Sequence, residues 1–149
     1  MTNYKFYMSR YVSGSWETAK SLEDEFQGLK YVKCSGLSAY GKPKNIYTES
    51  YAETDELRVF LPQKVARENT DIELELCFIG ANRRDIYDSF VEYVTGYKIK
   101  FWDDCRNREA QMVLTDAIDP SDDILIGGTP YIIASFKFIN CNGQTIKHT

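Results

Sequence analysis

Residues 71–102, DIELELCFIGANRRDIYDSFVEYVTGYKIKFW, contain two alternating segments on either side of a segment with helical periodicity. The first, from Asp71 to Gly80, alternates apolar and polar residues, which predicts a half-buried strand. The middle segment, about 83–95, places apolar residues at helical spacing after an asparagine and before a glycine, which commonly flank helices. The last, from Tyr97 to Trp102, alternates again. The stretch therefore predicts one short helix lying across a β-sheet.

The rest of the chain adds further candidate strands on both sides of this unit. They are Asn3–Gly14, Leu29–Leu37, Asn45–Tyr51, Leu57–Pro62, Glu109–Ile118, Pro130–Asn140 and Gln144–Lys147. The strand Glu109–Ile118 should form an antiparallel hairpin with Tyr97–Trp102. Pro130–Asn140 is apolar on both faces and should be central. Because no regular alternation of strands and helices is present, we predict an α+β, mainly β fold. It is an antiparallel β-sandwich or partly closed barrel with one flanking α-helix.

The length of 149 residues fits a single domain, 1–149. Within it, residues 1–28 are predicted to be an N-terminal arm or an edge strand. Ser15–Phe26 is charged and less regular in pattern, and a short helical turn is expected around Ser21–Phe26. Residues 57–140 hold the strand–helix–strand core.

The bulk composition favours an ordinary globular protein and disfavours several classes. The net charge of −4 argues against nucleic acid as the main ligand, because phosphate binding favours a basic surface. The four cysteines are scattered and form no metal-binding motif. We see neither a leader peptide nor an apolar run that could span a membrane. An intracellular, reduced protein without disulfides is expected. The cysteines are Cys34, Cys77, Cys105 and Cys141.

No set of residues in the sequence predicts catalysis. The single histidine, His148, is next to the last residue, and chain ends are commonly mobile. A nucleophile–histidine system is therefore disfavoured, and we predict no enzyme, no catalytic residue, no cofactor and no metal site. One alternative stays open, a metal-assisted hydrolase. Asp103–Asp104 is expected to face Asp116 and Asp119, with Asp122–Asp123 nearby, and grouped carboxylates can bind Ca²⁺ or Mg²⁺. The EF-hand spacing is missing, and aspartates are common in turns.

Two other groups of residues suggest binding. Basic side chains are predicted to gather in one region, where they would face a polyanion, pair with nearby acids or line a subunit contact. They are Arg83, Arg84, Lys98, Lys100, Arg106 and Arg108. Tyrosines concentrate in the first third of the chain and suit a binding module for carbohydrate or peptide. They are Tyr4, Tyr7, Tyr11, Tyr31, Tyr40, Tyr47 and Tyr51.

The order of elements resembles tail proteins of long-tailed bacteriophages. It comprises an alternating strand (IELELCFIG), a helix (RRDIYDSFVEYVTG), a strand ending in acid (YKIKFWDD), a returning strand (AQMVLTDAIDP) and a final aromatic strand (PYIIASFKFIN). The likeness is greatest to the N-terminal domain of distal tail proteins, with tail tube proteins as structural cousins. It spans about Leu57 to Asn140 and rests on element order.

The resemblance implies a structural phage or prophage tail component, or a part of a related injection machine. Proteins of these families form rings, commonly hexamers, so the implied partners are further copies of the chain and other phage tail proteins. Neither a membrane nor sequence-specific nucleic acid is implied. Assembly would occur in the host cytoplasm, followed by residence in the virion tail. Open strand edges would pair between subunits. The loops Thr48–Glu56 and Gln63–Asn69 would be interlocking arms or plain surface connections.

Overall fold

The computed structural model describes residues 5–37, 39–44, 47–50, 57–60, 67–104, 106–142 and 146–147. Its strands are β1 (Phe6–Val12), β2 (Ser15–Trp16), β3 (Lys20–Ser21), β4 (Leu29–Ser35), β5 (Tyr47–Ser50), β6 (Leu57–Phe60), β7 (Thr70–Ile79), β8 (Ile99–Asp103), β9 (Arg108–Ala117), β10 (Ile124–Ile126), β11 (Thr129–Asn140) and β12 (Ile146–Lys147). Its helices are α1 (Leu22–Glu25) and α2 (Arg83–Val94).

One antiparallel sheet organises the described part of the chain. Its strands lie in the order β2-β1-β8-β9-β11-β7-β4, while β3 pairs with β1, β10 with β11 and β12 with β9. The strands β5 and β6 form a separate two-stranded sheet. The large sheet is curved but not closed, because no backbone ladder joins β4 to β1 or β8 in the described residues. The predicted fold class, mainly β with a flanking helix, is confirmed.

The core lies between the concave face of this sheet and α2. On β7 the residues Ile72, Leu74 and Leu76 are buried, as their alternation predicts. The helix contributes Phe90, whose ring packs edge-on against Phe136 of β11 with 4.9 Å between centroids. Aromatic packing of this kind stabilises beyond the area that it buries. The predicted strand–helix–strand unit is therefore the centre of the core.

The ends of α2 follow the predicted signals only in part. Asn82 precedes the helix, but its side chain makes no capping hydrogen bond; its carbonyl oxygen accepts from the Ile86 N–H at 2.9 Å. At the other end, Gly96 adopts a φ of 82°, a left-handed conformation that glycine tolerates best.

The predicted central strand and hairpin are both confirmed. β11 pairs with β7 on one side and with β9 on the other, and β8 pairs with β9 from Ile99↔Met112 to Trp102↔Glu109. Residues 1–28 contribute three strands and α1 to the fold. β1 pairs with β8 on one side, and β2 and β3 occupy its other side as the outer edge of the sheet.

An irregularity in β4 changes which of its side chains point inward. The register with β7 shifts between Tyr31 and Lys33, so Cys34 is buried and Lys33 reaches outward to Glu75. At the end of this strand Gly36 adopts a φ of 88°, and a Cβ there would lie 2.2 Å from the Asp71 carbonyl oxygen. Only glycine permits so close an approach of the two backbones.

Candidate functional site

Side chains, rather than a backbone ladder, join the two ends of the curved sheet. We call this group the seam; it consists of Glu23, Tyr31, Asp103 and Arg106. The Tyr31 hydroxyl donates to the Asp103 carboxylate at 2.9 Å, and the Arg106 guanidinium donates to the same carboxylate at 3.1 Å. Asp103 is completely buried. A buried carboxylate is costly unless it is paired and hydrogen-bonded, and the seam satisfies both conditions.

The seam also occupies the outer edge of β4. The backbone N–H of Tyr31 donates to Glu23 at 3.1 Å, and the Cys34 carbonyl oxygen accepts from Arg106 at 2.8 Å. Burial raises the pKa of the Tyr31 hydroxyl, which therefore remains a proton donor. Because these backbone groups already have partners, the β4 edge is poorly suited to pair with a strand of another subunit. The structure thus disfavours the expected edge pairing at this position.

Four aromatic side chains and one lysine cover the convex surface of β1, β2 and β8. We call this surface the outer aromatic face; it consists of Tyr7, Tyr11, Trp16, Lys100 and Trp102. Tyr7 stacks on Trp102 with 5.6 Å between centroids, and Tyr11 meets Trp16 edge-on at 5.1 Å. Lys100 places its ammonium group 4.5 Å from the centre of the Trp16 ring. Large aromatic side chains at a partly exposed surface are typical of interfaces.

A second surface group lies where the chain leaves the large sheet for β5 and returns from β6. We call it the arginine–tyrosine cluster; it consists of Tyr40, Arg67 and Arg108. The Arg108 guanidinium donates to the Tyr40 hydroxyl at 3.0 Å, and the Arg67 guanidinium lies 5.1 Å from the centre of the Tyr40 ring. Tyr40 is 56% exposed. The group therefore presents two cations at the surface.

The backbone around this cluster is tightly held. Pro43 and Arg67 form an isolated antiparallel bridge, and the Glu68 N–H donates to the Lys42 carbonyl oxygen at 2.8 Å. A Cβ at Gly41 would lie only 1.7 Å from the Glu68 carbonyl oxygen. The close approach requires glycine and fixes the segment that carries Tyr40. The backbone that carries Tyr40 is therefore held in a defined conformation.

The predicted groups of charged residues do not come together. Asp103 lies at the end of β8, beside the turn of the β8–β9 hairpin, whereas Asp116 pairs with Lys137 near the far end of β9, so the expected facing of these acids is wrong. Asp123 instead binds Arg83, whose guanidinium makes contacts of 2.9 and 2.8 Å with its carboxylate. Among the described residues no three side chains of metal-binding type lie close enough to hold an ion.

The basic residues are similarly dispersed. Arg83 and Arg84 are at the start of α2 and pair with Asp123, Arg106 belongs to the seam, and Lys100 belongs to the outer aromatic face. The prediction of one basic region is therefore wrong, because strand order separates residues that are near in sequence.

The predicted tyrosine group is divided between core and surface. Tyr31 is buried in the seam, where its ring lies 5.4 Å from that of Phe6, while Tyr7 and Tyr11 belong to the outer aromatic face. Tyr40 is in the arginine–tyrosine cluster. Tyr4 and Tyr51 lie outside the described residues. Sequence reasoning missed the tryptophans of the outer face; the alternation of Trp102 with buried Phe101 was the available signal.

The remaining candidate residues are the four cysteines and His148. Cys34 and Cys77 are buried, and Cys141 is partly exposed. Burial raises the pKa of the Cys34 thiol to about 12 and also raises that of Cys77, so both thiols remain protonated near neutral pH. Cys105 and His148 lie outside the described residues.

Across the described ranges, no helix has both the length and the apolar character needed to cross a membrane.

The fold is similar to that of a solved phage protein. One chain in the structure "Structure of the Phage P2 Baseplate in its Activated Conformation with Ca" superposes with a TM-score of 0.51 at 12% sequence identity. The match covers 91% of this chain and 44% of that one. The corresponding structure with Sr gives a TM-score of 0.50 at the same identity and coverage. The fold of this chain is therefore similar to that of a chain in the phage P2 baseplate.

The likeness extends over nearly the whole of this chain but under half of the baseplate chains. No protein-family model matches the sequence, and no curated protein is significantly similar to it. The predicted resemblance to phage tail proteins is thus confirmed at the level of fold. The structural match also includes the N-terminal third of the chain, for which the order of elements in the sequence shows no resemblance.

Proposed function

We propose that this protein is a non-catalytic structural component of a phage or prophage tail that assembles into a ring and contacts neighbouring tail proteins. The observation that carries the proposal is the fold shared with a phage P2 baseplate chain over 91% of the present chain. Fold alone does not determine function. The proposal therefore also draws on the two surface groups, which offer contacts to partners and carry no recognisable catalytic arrangement.

The finer parts of the proposal come from the resemblance in element order. They are a distal tail or tail tube position, a homo-oligomeric ring such as a hexamer, and residence in the virion tail after assembly in the host. The match covers 44% of the baseplate chain, so the resemblance concerns one part of that chain.

The outer aromatic face supports the proposal as a contact surface. Its rings are held by each other, as in the Tyr7–Trp102 stack, so little side-chain freedom is lost when a partner covers them. Lys100 and the neighbouring Lys98 add charge at the same surface. Aromatic residues flanked by polar groups are the usual composition of the centre of a protein interface. Subunit contact would then be made through side chains, since the β4 edge is occupied by the seam.

Native mass over a wide concentration range tests the proposal directly. Light scattering coupled to chromatography should give one discrete oligomer, and negative-stain microscopy should show rings. The double variant Tyr11→Ala/Trp16→Ala should lower the oligomeric fraction, since both rings lie at the surface. A matched control is Lys30→Ala/Lys137→Ala, which alters exposed residues of β4 and β11. A wild-type monomer at every concentration contradicts self-assembly.

A second candidate function is ligand binding at the outer aromatic face. The two aromatic pairs there offer apolar ring surfaces next to Lys100, a combination that suits a carbohydrate or a peptide. A glycan and peptide screen should then return a ligand whose binding is lost in Trp16→Ala. If the screen finds no ligand and negative-stain microscopy shows rings, the structural tail component is the better-supported function.

A further inference from the structure

The exposed side of α2 carries a row of acidic side chains. Asp85, Asp88 and Glu92 are all exposed, and their spacing of three and four residues places them on one face of the helix. Ser89, also exposed, lies between the last two. We call these four residues the acidic helix face. Like charges at this spacing repel each other, so cations that approach the face stabilise it.

The negative charge on this side of the molecule also affects Tyr87. Burial raises the pKa of its hydroxyl, and the carboxylates of Asp119, Asp88 and Asp116 raise it further. The acids are spread along the helix and the end of β9. A distribution of this kind suits a partner surface that carries several spaced cations.

The outer aromatic face is flanked by two lysines at a matching distance. Lys98 is exposed and Lys100 is half-buried, and they flank the buried Ile99, so both lie on the convex side of the sheet. Two residues of a strand span about 7 Å. The Cβ atoms of Asp88 and Glu92, four residues apart on a helix, are about 6 Å apart. The two lysines and the two acids can therefore form two ion pairs at once.

The rings beside these lysines suit the same helix face. Tyr11 is 43% exposed and meets Trp16 edge-on, and the Lys100 ammonium group lies 4.5 Å from the centre of the Trp16 ring. Ser89 is small, so it leaves room for a ring between the two acids. Rings that exclude water around an ion pair strengthen its attraction. Aromatic groups with charges at the rim are typical of protein interfaces.

The two surfaces lie on opposite sides of the molecule. α2 packs on the concave face of the sheet, through contacts such as Phe90 with Phe136, whereas the outer aromatic face is convex. A chain therefore cannot join its own two surfaces, and the contact must link two copies. Contacts that join different surfaces of two copies are head-to-tail, and they close into rings when the rotation between copies permits.

We infer that the outer aromatic face of one copy, with Lys98, binds the acidic helix face of a second copy. The inference rests on the proposed self-assembly and names the two surfaces that make its contact. A second copy is favoured over a neutral saccharide because its paired carboxylates satisfy both lysines.

Charge reversal on each surface tests this contact. The variants are Lys98→Glu/Lys100→Glu and Asp88→Lys/Glu92→Lys. Asp85 is kept, because a negative charge in the first turn stabilises a helix. Each double variant alone should raise the midpoint concentration of assembly at least about tenfold, because like charges then face each other. Light scattering over a concentration series measures the midpoint.

Mixing the two double variants in equal amounts gives the sharpest measurement. In the mixture the lysine face of one variant meets the acidic helix of the other, and the reversed surfaces also attract each other. The mixture should therefore assemble near the wild-type concentration as rings of alternating variants. For wild type, raising sodium chloride from about 0.05 to about 0.5 M should raise the midpoint, because salt screens exposed ion pairs.

Matched controls separate this contact from general effects of charge and of folding. Each control alters two exposed residues by the same total charge as one variant and should leave the midpoint unchanged. Circular dichroism and the thermal midpoint show whether each variant folds. Should Lys98→Glu/Lys100→Glu fail to fold, Lys98→Gln/Lys100→Gln removes the charges more mildly and should also raise the midpoint. The controls are Lys30→Glu/Lys137→Glu and Asp104→Lys/Asp122→Lys.

The outcomes distinguish this inference from the proposed function. Wild-type rings that persist in both double variants overturn the contact but leave self-assembly standing. Loss of assembly in both double variants without recovery in their mixture overturns the pairing of these two surfaces. A wild-type midpoint that does not rise with salt also contradicts the ion pairs. A wild-type monomer at every concentration removes both proposals.

Discussion

Replacing Asp103 by asparagine should destabilise the protein by about 3 kcal/mol, the lower end of the cost of removing one partner from a buried ion pair. The lower end applies because the Arg106 side chain is 35% exposed and can turn toward water. Asparagine keeps the size of the side chain but has one acceptor oxygen in place of two. The carboxylate accepts from the Tyr31 hydroxyl, the Arg106 N–H and the Arg106 guanidinium, so the amide leaves at least one donor unpaired.

Urea unfolding with a shared slope for all variants measures this difference. Tyr31→Phe serves as the matched variant, because it removes one hydrogen bond to a charged group while Asp103 keeps both bonds from Arg106. We expect about 1.5 kcal/mol for it. The double variant should cost less than the sum, since the two side chains interact directly. A loss below about 1 kcal/mol in Asp103→Asn refutes the claim that the seam holds the ends of the sheet together, because a typical neutral hydrogen bond contributes as much.

Four further outcomes are expected. Gly14→Ala, at a φ of 87° with open space around it, should cost about 1 kcal/mol of unfolding free energy, the ordinary penalty of left-handed backbone. Gly36→Ala should cost clearly more, because a clash with backbone is added; equal losses in urea unfolding would contradict this. Phe136→Ala should cost about 3–5 kcal/mol by the same measurement, as it empties the aromatic core. In a Cys105→Ser background, thiol labelling of native protein should be slow at Cys34 and should still be rising with pH at pH 9 without levelling off, because its pKa is raised to about 12 and the reactive thiolate remains a small fraction of the thiol over this range. Fast labelling there, read by mass spectrometry of peptides, would show that the thiol is accessible.

The parts of the fold that periodicity controls were predictable from sequence. α2 and β7 each carry a long and regular pattern, and a pattern of that length leaves one face apolar in only one type of element. β11 is apolar on both faces, which indicates a central strand. The hairpin of β8 and β9 was also predictable, since its two strands are joined by a short polar turn. These elements supply most of the core.

Which β4 side chains point into the core was harder to predict from the sequence. Alternation places Tyr31 and Lys33 on one face, but the register shift between them turns Lys33 outward and buries Cys34 instead. A bulge of this kind inserts one residue without changing the composition of the strand. Nothing in the local pattern marks its position, so only the pairing with β7 reveals it.

The two surface groups and the seam could not be predicted from the sequence. Tyr31 and Asp103 are separated by 72 residues, and Tyr40 and Arg108 by 68. Which distant side chains meet depends on strand order, and the order of strands does not follow from local periodicity. Conversely, the acids Asp103 and Asp116 are near in sequence, but Asp103 ends β8 beside the hairpin turn and Asp116 lies near the far end of β9. Neighbourhood in sequence was thus a poor guide to the candidate sites.

The place of β11 in the sheet has a consequence for how the protein is made. It is the longest strand, it lies at the centre, and it occupies residues 129–140 of a chain of 149. During synthesis, β7 and β9 emerge from the ribosome well before the strand that separates them. Until β11 is synthesised, the edges of β7 and β9 that it will cover stay unpaired unless a chaperone shields them. Unpaired strands readily pair with the wrong partner. Folding of the central sheet therefore cannot be completed before β11 is synthesised, and a chain truncated before Thr129 should aggregate rather than fold.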